Sequence, residues 1–222
     1  MSASPSTETL HRVGIIGAGA MGTSLAVVLG QTLEVVLVAR DEARASRITT
    51  DGVHIRGLGQ ASTRPAVVRS ITDLRRSGPL DMVFVATKTT AIDAVSDELR
   101  PVLDELGGRT APFVVSFQNG IEPARRLIER LANPRVLRMV LNYGARFGPD
   151  GAVELLFSHP PHAVGSLDPA FRPACEALAM ALGRGGMETV VADDIQRLVW
   201  FKGILNAAMN PVAALTNSAV HE

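Results

Sequence analysis

Val13-Gly14-Ile15-Ile16-Gly17-Ala18-Gly19-Ala20-Met21-Gly22 is an apolar run that feeds directly into Gly-x-Gly-x-x-Gly. A helical pattern follows at once through Leu25, Ala26, Val28 and Leu29. The spacing predicts a strand, a tight turn and a helix N-terminus. Gly17 permits the turn, Gly19 lets a pyrophosphate approach the backbone, and Gly22 lets the helix lie close to the strand. The unpaired N–H groups and the dipole at the helix start favour phosphate charge, and Ala18, Ala20 and Met21 complete the loop. The motif follows a strand, opens a helix and lies near the N-terminus, which is the context a dinucleotide site requires.

Working outward, Glu34-Val35-Val36-Leu37-Val38-Ala39-Arg40 reads as a buried parallel strand, because the apolar run Val35 to Val38 suits a strand covered on both faces. NAD-selecting sites usually place Asp or Glu at its end, against the ribose 2′-hydroxyl. Here Arg40 stands there, followed by Asp41. A guanidinium suits a 2′-phosphate, so the expected cofactor is NADP rather than NAD. Asp41–Thr49 reads as a helix, Val53–Gly57 as a short strand and Val67-Val68 as another.

Asp81–Lys88 and Pro112–Gly120 repeat the pattern of an apolar strand with a polar end. Lys88 closes the first, and Gln118-Asn119-Gly120 the second. Open α/β sheets bind ligands at the carboxyl ends of their strands, so the glycine loop, Arg40, Lys88 and Asn119 are expected at one edge. The intervening helix is expected to run from Thr90 to Leu99 and stop before Pro101. Val136–Ala145, Ala152–Ser158 and Ala163–Gly165 read as short strands suited to an antiparallel extension of the sheet. Pro169–Leu182 reads as a helix and Glu188–Ala192 as a last strand.

The final helix is expected to be capped by Asp193 or Asp194. Along it, Leu198, Phe201, Leu205 and Met209 form one apolar stripe. Lys202, Asn206 and Asn210 stand four apart and share another face. Asn210-Pro211 is expected to break or kink this helix. A Lys-Asn-Asn row among Trp200, Phe201, Ile204 and Leu205 needs polar partners, and a polar ligand could supply them.

The chain has 222 residues, of which 46% are hydrophobic, enough for a sizeable core. Lys plus Arg and Asp plus Glu each number 22, and that balance argues against nucleic acid or an anionic membrane as partner. Cys175 is the only cysteine, so no intrachain disulfide forms and a reducing, cytoplasmic setting fits. No uninterrupted apolar run reaches the roughly 20 residues of a membrane span. No metal site is indicated. The fold class expected is α/β: a Rossmann-type doubly wound parallel sheet with an antiparallel extension, then the start of a helical domain. The organisation expected is a disordered tail over 1–10, a dinucleotide-binding domain over 11–192, and a helical substrate domain beginning at 193–222.

The chain resembles the ketopantoate reductases (2-dehydropantoate 2-reductases). The resemblance is carried by Gly17–Gly22, the Arg40 strand end, Ala86-Thr87-Lys88, Gln118-Asn119-Gly120, Asn142-Tyr143-Gly144-Ala145-Arg146, and Trp200-Phe201-Lys202 followed by Asn206 and Asn210-Pro211. It runs from about Arg12 to Leu215. It implies NADPH-dependent reduction of ketopantoate to pantoate, on the way to pantothenate and coenzyme A. It implies that Lys202 is the catalytic proton donor and that Asn119 positions substrate near the nicotinamide. It further implies that Lys88 lines the same region, and that Asn206 and Asn210 bind polar groups of the substrate. Two alternatives stay open: reduction of another 2-oxo acid or an imine on this scaffold, and a non-catalytic dinucleotide-binding module. In the family a helical C-terminal domain adds a serine and a glutamate to the pocket. This chain reaches only Glu222, so a fragment or a short homologue with weakened or lost activity is expected. A homodimer is the form expected to cover the apolar face of the last helix.

Overall fold

The computed structural model describes residues 9–107 and 111–217. Most of the tail expected over 1–10 lies outside them, as do His221 and Glu222. Leu10 departs from that expectation: it is buried in the core, and just beyond it the backbone N–H groups of His11 and Arg12 donate to the Asp81 carboxylate at 2.6 and 2.9 Å.

Strand β1 (Arg12–Ile16) leads through the glycine turn into α1 (Ala20–Leu29) and then β2 (Glu34–Val38). Asp41 caps α2 (Glu42–Asp51) by accepting from the Arg44 N–H at 2.8 Å. An excursion follows through β3 (Val53–Gly57) and β4 (Ala61–Thr63) to β5 (Ala66–Val68). The chain then crosses to β6 (Met82–Val85), α3 (Ile92–Glu105), β7 (Phe113–Ser116), α4 (Pro123–Leu131) and β8 (Val136–Val140). It ends with β9 (Tyr143–Phe147), β10 (Val153–Ser158), β11 (His162–Ser166), α5 (Arg172–Arg184), β12 (Thr189–Val191) and α6 (Ile195–Thr216).

The main sheet has eight strands in the order β12-β11-β8-β7-β6-β1-β2-β5. From β5 to β8 every neighbouring pair is parallel. The chain moves outward from β1 to one side, returns, and moves outward from β6 to the other, so the strand order reverses between β1 and β6. One face buries α1 and α5. The other buries Val95, Leu99 and Val102 of α3 and Leu127 of α4. This is the expected doubly wound α/β architecture.

The extension differs from expectation. The run Val136–Ala145 is not one strand; it breaks at Leu141-Asn142. Here the Asn142 N–H donates to His162 Nδ1 at 3.0 Å, which removes it from any ladder, and the side-chain amide donates to the Pro161 carbonyl at 3.1 Å. Strand β8 continues the parallel series. Strands β9 and β10 leave it to join β3 and β4 in a second sheet of order β4-β3-β10-β9. Only β11 adds antiparallel to the main sheet, against β8.

Two prolines do not stop their helices. Pro101 lies inside α3, on its exposed side, and the helix continues to Glu105. A helical proline costs about 3 kcal/mol. Burial of Val102 and Leu103 beyond it returns about 1.5–3 kcal/mol each. Pro211 lies inside α6, which runs on to Thr216 and closes on Asn217 in the left-handed conformation. The Ala207 carbonyl that loses its helical donor belongs to an exposed residue, so water can replace the bond.

Helix α6 buries only Ile195 and Val199. Phe201, Ile204 and Leu205 face outward, while Lys202 and Asn206 are half-buried against the sheet. The helix thus turns Lys202 and Asn206 inward, leaves Asn210 exposed, and presents Phe201, Leu205 and Met209 to solvent. By length and composition alone it would also cross a membrane, with a mean hydropathy of 1.2. That property escapes a search for uninterrupted apolar runs, because the polar residues are spaced through it.

Candidate active site

The glycine turn has the geometry its spacing implies. Gly17 has φ +113°, and a Cβ there would lie 3.0 Å from the Ala86 carbonyl oxygen. Gly22 lies under the turn: a Cβ on it would meet the Gly17 carbonyl oxygen at 2.0 Å and the Ala86 methyl at 2.9 Å. Gly19 is the opposite case. It caps α1 in an extended conformation, and nothing stands within 4 Å of where its Cβ would be. No side chain caps α1 and no acidic residue sits in its first turn. The backbone N–H groups of this turn therefore keep the open space and positive potential that a pyrophosphate needs. Ala18 is buried below the loop, while Ala20 and Met21 are half-buried on its rim.

Arg40 leaves the end of β2 exposed, and its guanidinium donates to Glu98 at 2.7 Å. Two further arginines gather here. Arg69 donates to the Arg40 carbonyl at 2.9 Å. Arg44 donates to the Ala18 carbonyl at 3.0 Å, with its guanidinium 4.0 Å from the centre of the Phe147 ring. Neither was legible as a site residue, because only the fold brings Arg69 to Arg40 and Arg44 to Ala18 and Phe147.

Along the carboxyl ends of β6, β7 and β8, beside the start of α1, lies an open cleft of about 550 Å³, lined among others by Met21, Lys88, Asn119, Tyr143, Lys202 and Asn206. A second cavity of about 530 Å³ shares Asn119 and Asn206 and adds Asn210, Arg126 and Glu122. The structure thus gathers Lys88, Asn119, Lys202 and Asn206, with Asn210 one turn further out. Among the described residues lining the main cleft there is no carboxylate. The Thr87 hydroxyl in its wall is buried without a partner among the described residues.

Lys202 donates from Nζ to the Leu141 carbonyl at the end of β8. Burial, and then the nearby Arg138 guanidinium, hold its pKa below the ordinary lysine value. Tyr143 is buried and shares a hydrogen bond of 2.8 Å with Ser24. Burial pushes its phenol up to about 12, so it stays protonated at neutral pH. The residue sequence reasoning missed is Arg138, only 6% exposed in the middle of β8. Its one signal was a cation inside Val136-Leu137-Arg138-Met139-Val140.

His162 stacks edge-on against Tyr143 and is 3% exposed. Burial first, then the Lys202 charge, lowers its pKa. In the unfolded chain it takes up a proton near the ordinary value of about 6.5; in the folded protein it does so only at lower pH. The unfolded state then binds more protons in that window, so stability is full above the ordinary histidine value and falls as pH drops below it. Urea unfolding at neutral and mildly acidic pH should show that loss, and His162→Asn, which keeps an acceptor for the Asn142 N–H, should reduce it. An unchanged pH slope in the variant would assign the loss to other groups.

A parallel sheet with a glycine turn at its switch point and a polar cleft along its carboxyl edge defines a Rossmann-type fold of the dinucleotide-binding kind. The family model described as "Ketopantoate reductase PanE/ApbA" matches residues 13–168, and the chain belongs to that family of oxidoreductases. The 2-dehydropantoate 2-reductase of Archaeoglobus fulgidus is 28% identical over 207 residues, covering 93% of this chain and 64% of the relative. That of Mesorhizobium japonicum is 26% identical, covering 94% and 68%. The chain therefore spans about two thirds of the length of these relatives. The glycerol-3-phosphate dehydrogenase [NAD(P)+] of Variovorax paradoxus is 37% identical, but over only 51% of this chain and 32% of its own. Among solved structures, the 2-dehydropantoate 2-reductase of Geobacter metallireducens superposes with a TM-score of 0.75 at 25% identity, covering 93% of this chain and 66% of that one. A ternary structure of D-mandelate dehydrogenase with NADH and anilino(oxo)acetate superposes at 0.79 with 19% identity, covering 93% and 64%.

Proposed function

We propose that the protein reduces a 2-oxo acid with NADPH, and that the substrate is 2-dehydropantoate, giving pantoate for pantothenate and coenzyme A synthesis in the cytoplasm. The observation that carries this reading is the meeting of Lys202 and Asn206 from α6 with Asn119 and Lys88 at the strand ends, in one cleft beside the glycine turn. An electropositive cleft without a carboxylate suits an oxo acid anion.

In this reading Gly17, Ala18, Gly19, Ala20, Met21 and Gly22 cradle the pyrophosphate, and Arg40 meets the 2′-phosphate. Lys88 and Asn119 lie where the nicotinamide end would reach. The cofactor supplies a hydride to the carbonyl carbon. Lys202 stabilises the charge that grows on the carbonyl oxygen and then donates a proton to it. Its lowered pKa makes it a readier donor at neutral pH. Asn206 and Asn210 hydrogen-bond the polar groups of the acid, and 193–222 forms the start of the substrate domain. The choice of substrate rests on the α6 row. A second 2-oxo acid as substrate fits the same row.

NADPH should bind more tightly than NADH, and Arg40→Ala should weaken NADPH by roughly tenfold to a hundredfold, the scale of a charge-assisted hydrogen bond. NADH binding should hardly change. Dissociation constants for both cofactors, followed by NADPH oxidation with a panel of 2-oxo acids, test the reading. Equal affinities in the wild type would remove Arg40 from this role, and a flat panel would favour a non-catalytic binding module.

A further inference from the structure

Arg138 is a buried cation whose role is not explained by the core. It sits at the centre of an interior strand, paired in register with Ser116 of β7 on one side and Gly165 of β11 on the other. Among the described residues no carboxylate pairs with it. Its guanidinium donates instead to the carbonyls of Gln118 at 2.7 Å and Gly120 at 3.0 Å, and to the Ser116 hydroxyl at 3.3 Å. A guanidinium taken out of water without a counter-charge is costly, and a strand interior offers many apolar residues that would fill the same space.

The two carbonyls it holds flank a single residue, Asn119. Gly120 has φ +110°, so the loop turns back sharply beyond Asn119. One nitrogen, Nη2, therefore ties both ends of the loop to the sheet while Nη1 bonds Ser116, and Asn119 is left exposed at the apex, in the wall of the cleft. Helix α6 closes over the same place. A gap of about 10 Å³ is enclosed by Arg138, Asn119, Lys202, Gly203 and Asn206 among its walls. The guanidinium thus lies directly beneath the polar row of α6.

We propose that Arg138 is a positioning residue of the reductase site: it pins the loop that presents Asn119 and holds a fixed positive charge beneath Lys202. The proposal rests on the reading of Asn119 and Lys202 given above. Other titratable groups face Lys202 from each element packed around it. His162 comes from β11, Tyr143 from β9 and Lys88 from the end of β6; Arg126 and Glu122 line the outer cavity beside Asn206. Within the main cleft none of these is a carboxylate, so Arg138 acts on Lys202 without an opposing charge nearby. Its own pKa, lowered by burial to about 10, leaves it charged at neutral pH.

Clamp and charge can be separated experimentally. A lysine at 138 keeps the charge but lacks the rigid guanidinium plane that aims Nη2 at the two carbonyls while Nη1 bonds Ser116; a methionine lacks both. The experiment follows the ¹³Cε resonance of Lys202, assigned by its loss in Lys202→Ala, through a pH titration of the wild type, Arg138→Met and Arg138→Lys. Steady-state kinetics with NADPH and 2-dehydropantoate accompany it. Arg138→Met should move the Lys202 titration upward and lower kcat/KM on the order of tenfold to a hundredfold, as expected for a displaced positioning group. NADPH affinity should stay near wild type. Arg138→Lys should restore the Lys202 titration while KM for the oxo acid stays raised. A Lys202 titration and a KM unchanged in both variants would overturn the proposal. If Arg138→Met does not fold, Arg138→Lys still decides the clamp through KM and the Asn119 side-chain amide resonance. If the wild type reduces no 2-oxo acid, the reductase reading fails, while the Lys202 and Asn119 resonances still decide what Arg138 does.

Discussion

Replacing Lys202 by alanine should lower turnover by roughly 10²–10⁴, the usual scale for loss of a general acid, and leave NADPH affinity close to wild type. The expectation comes from where Lys202 stands. It projects from the inward face of α6 into the cleft with Asn206 and is not part of the glycine turn that is read as holding the pyrophosphate. In the absence of substrate its ammonium is held by the Leu141 carbonyl, a neutral acceptor that a developing alkoxide would outcompete. Single-turnover mixing of enzyme, NADPH and oxo acid isolates the chemical step from binding and release. A hydride-transfer rate equal to wild type in Lys202→Ala would show that Lys202 is not the acid. The row it forms with the asparagines would then be a structural network. Lys88→Ala should behave differently. Lys88 is exposed at the end of β6, so its loss should weaken binding as well as turnover.

The second large effect separates two glycines three residues apart. Gly19→Val should abolish cofactor binding and leave the fold intact, because the added side chain enters space that no protein atom occupies. Gly22→Ala should do the reverse. Its single methyl would lie 2.0 Å from the Gly17 carbonyl oxygen, a backbone atom in the centre of the turn. The strand and helix would have to part, at a cost of at least about 3 kcal/mol on the scale of overpacked cores. Thermal unfolding with and without NADPH distinguishes the two. Gly19→Val should keep the wild-type midpoint and lose the upward shift with NADPH, whereas Gly22→Ala should melt lower from the start. Normal NADPH binding by Gly19→Val would make the glycine loop merely structural.

These two glycines also show what could be read from the chain alone. A Gly-x-Gly-x-x-Gly at a strand end has few geometric solutions, so the turn and the direction of α1 were both legible. The same holds for Arg40, Lys88 and Asn119. A parallel sheet puts the ends of all its strands on one edge, so each polar strand end announced its place. The Lys202, Asn206 and Asn210 row was legible as a face by its four-residue period. Burial then decided which way it turned, and Lys202 and Asn206 proved to be packed inward, with Asn210 exposed.

What escaped depended on partners remote in sequence. The break at Asn142 is set by His162, twenty residues on. The second sheet needs β3, nearly a hundred residues before β10. Pro101 and Pro211 are strong local stop signals, and the helices continue past them for different reasons. In α3 the next two residues are buried; in α6 the freed carbonyl faces solvent. Arg69 carries no motif and reaches Arg40 only through the fold, as Arg44 reaches Ala18 and Phe147. Arg138 was visible as an oddity inside an apolar strand, but its meaning lies in the Gln118 and Gly120 carbonyls on the neighbouring loop.

The central claim is that this cleft passes a hydride from a bound nicotinamide to the carbonyl carbon of a 2-oxo acid. It is tested most directly by incubating the protein with NADPH deuterated at the transferable position and 2-dehydropantoate, and analysing the product by mass spectrometry and NMR. The account predicts pantoate carrying one deuterium at the carbon that bore the ketone, formed in step with NADPH oxidation. Bound NADPH that stays unoxidised, with 2-dehydropantoate recovered unchanged, would contradict it.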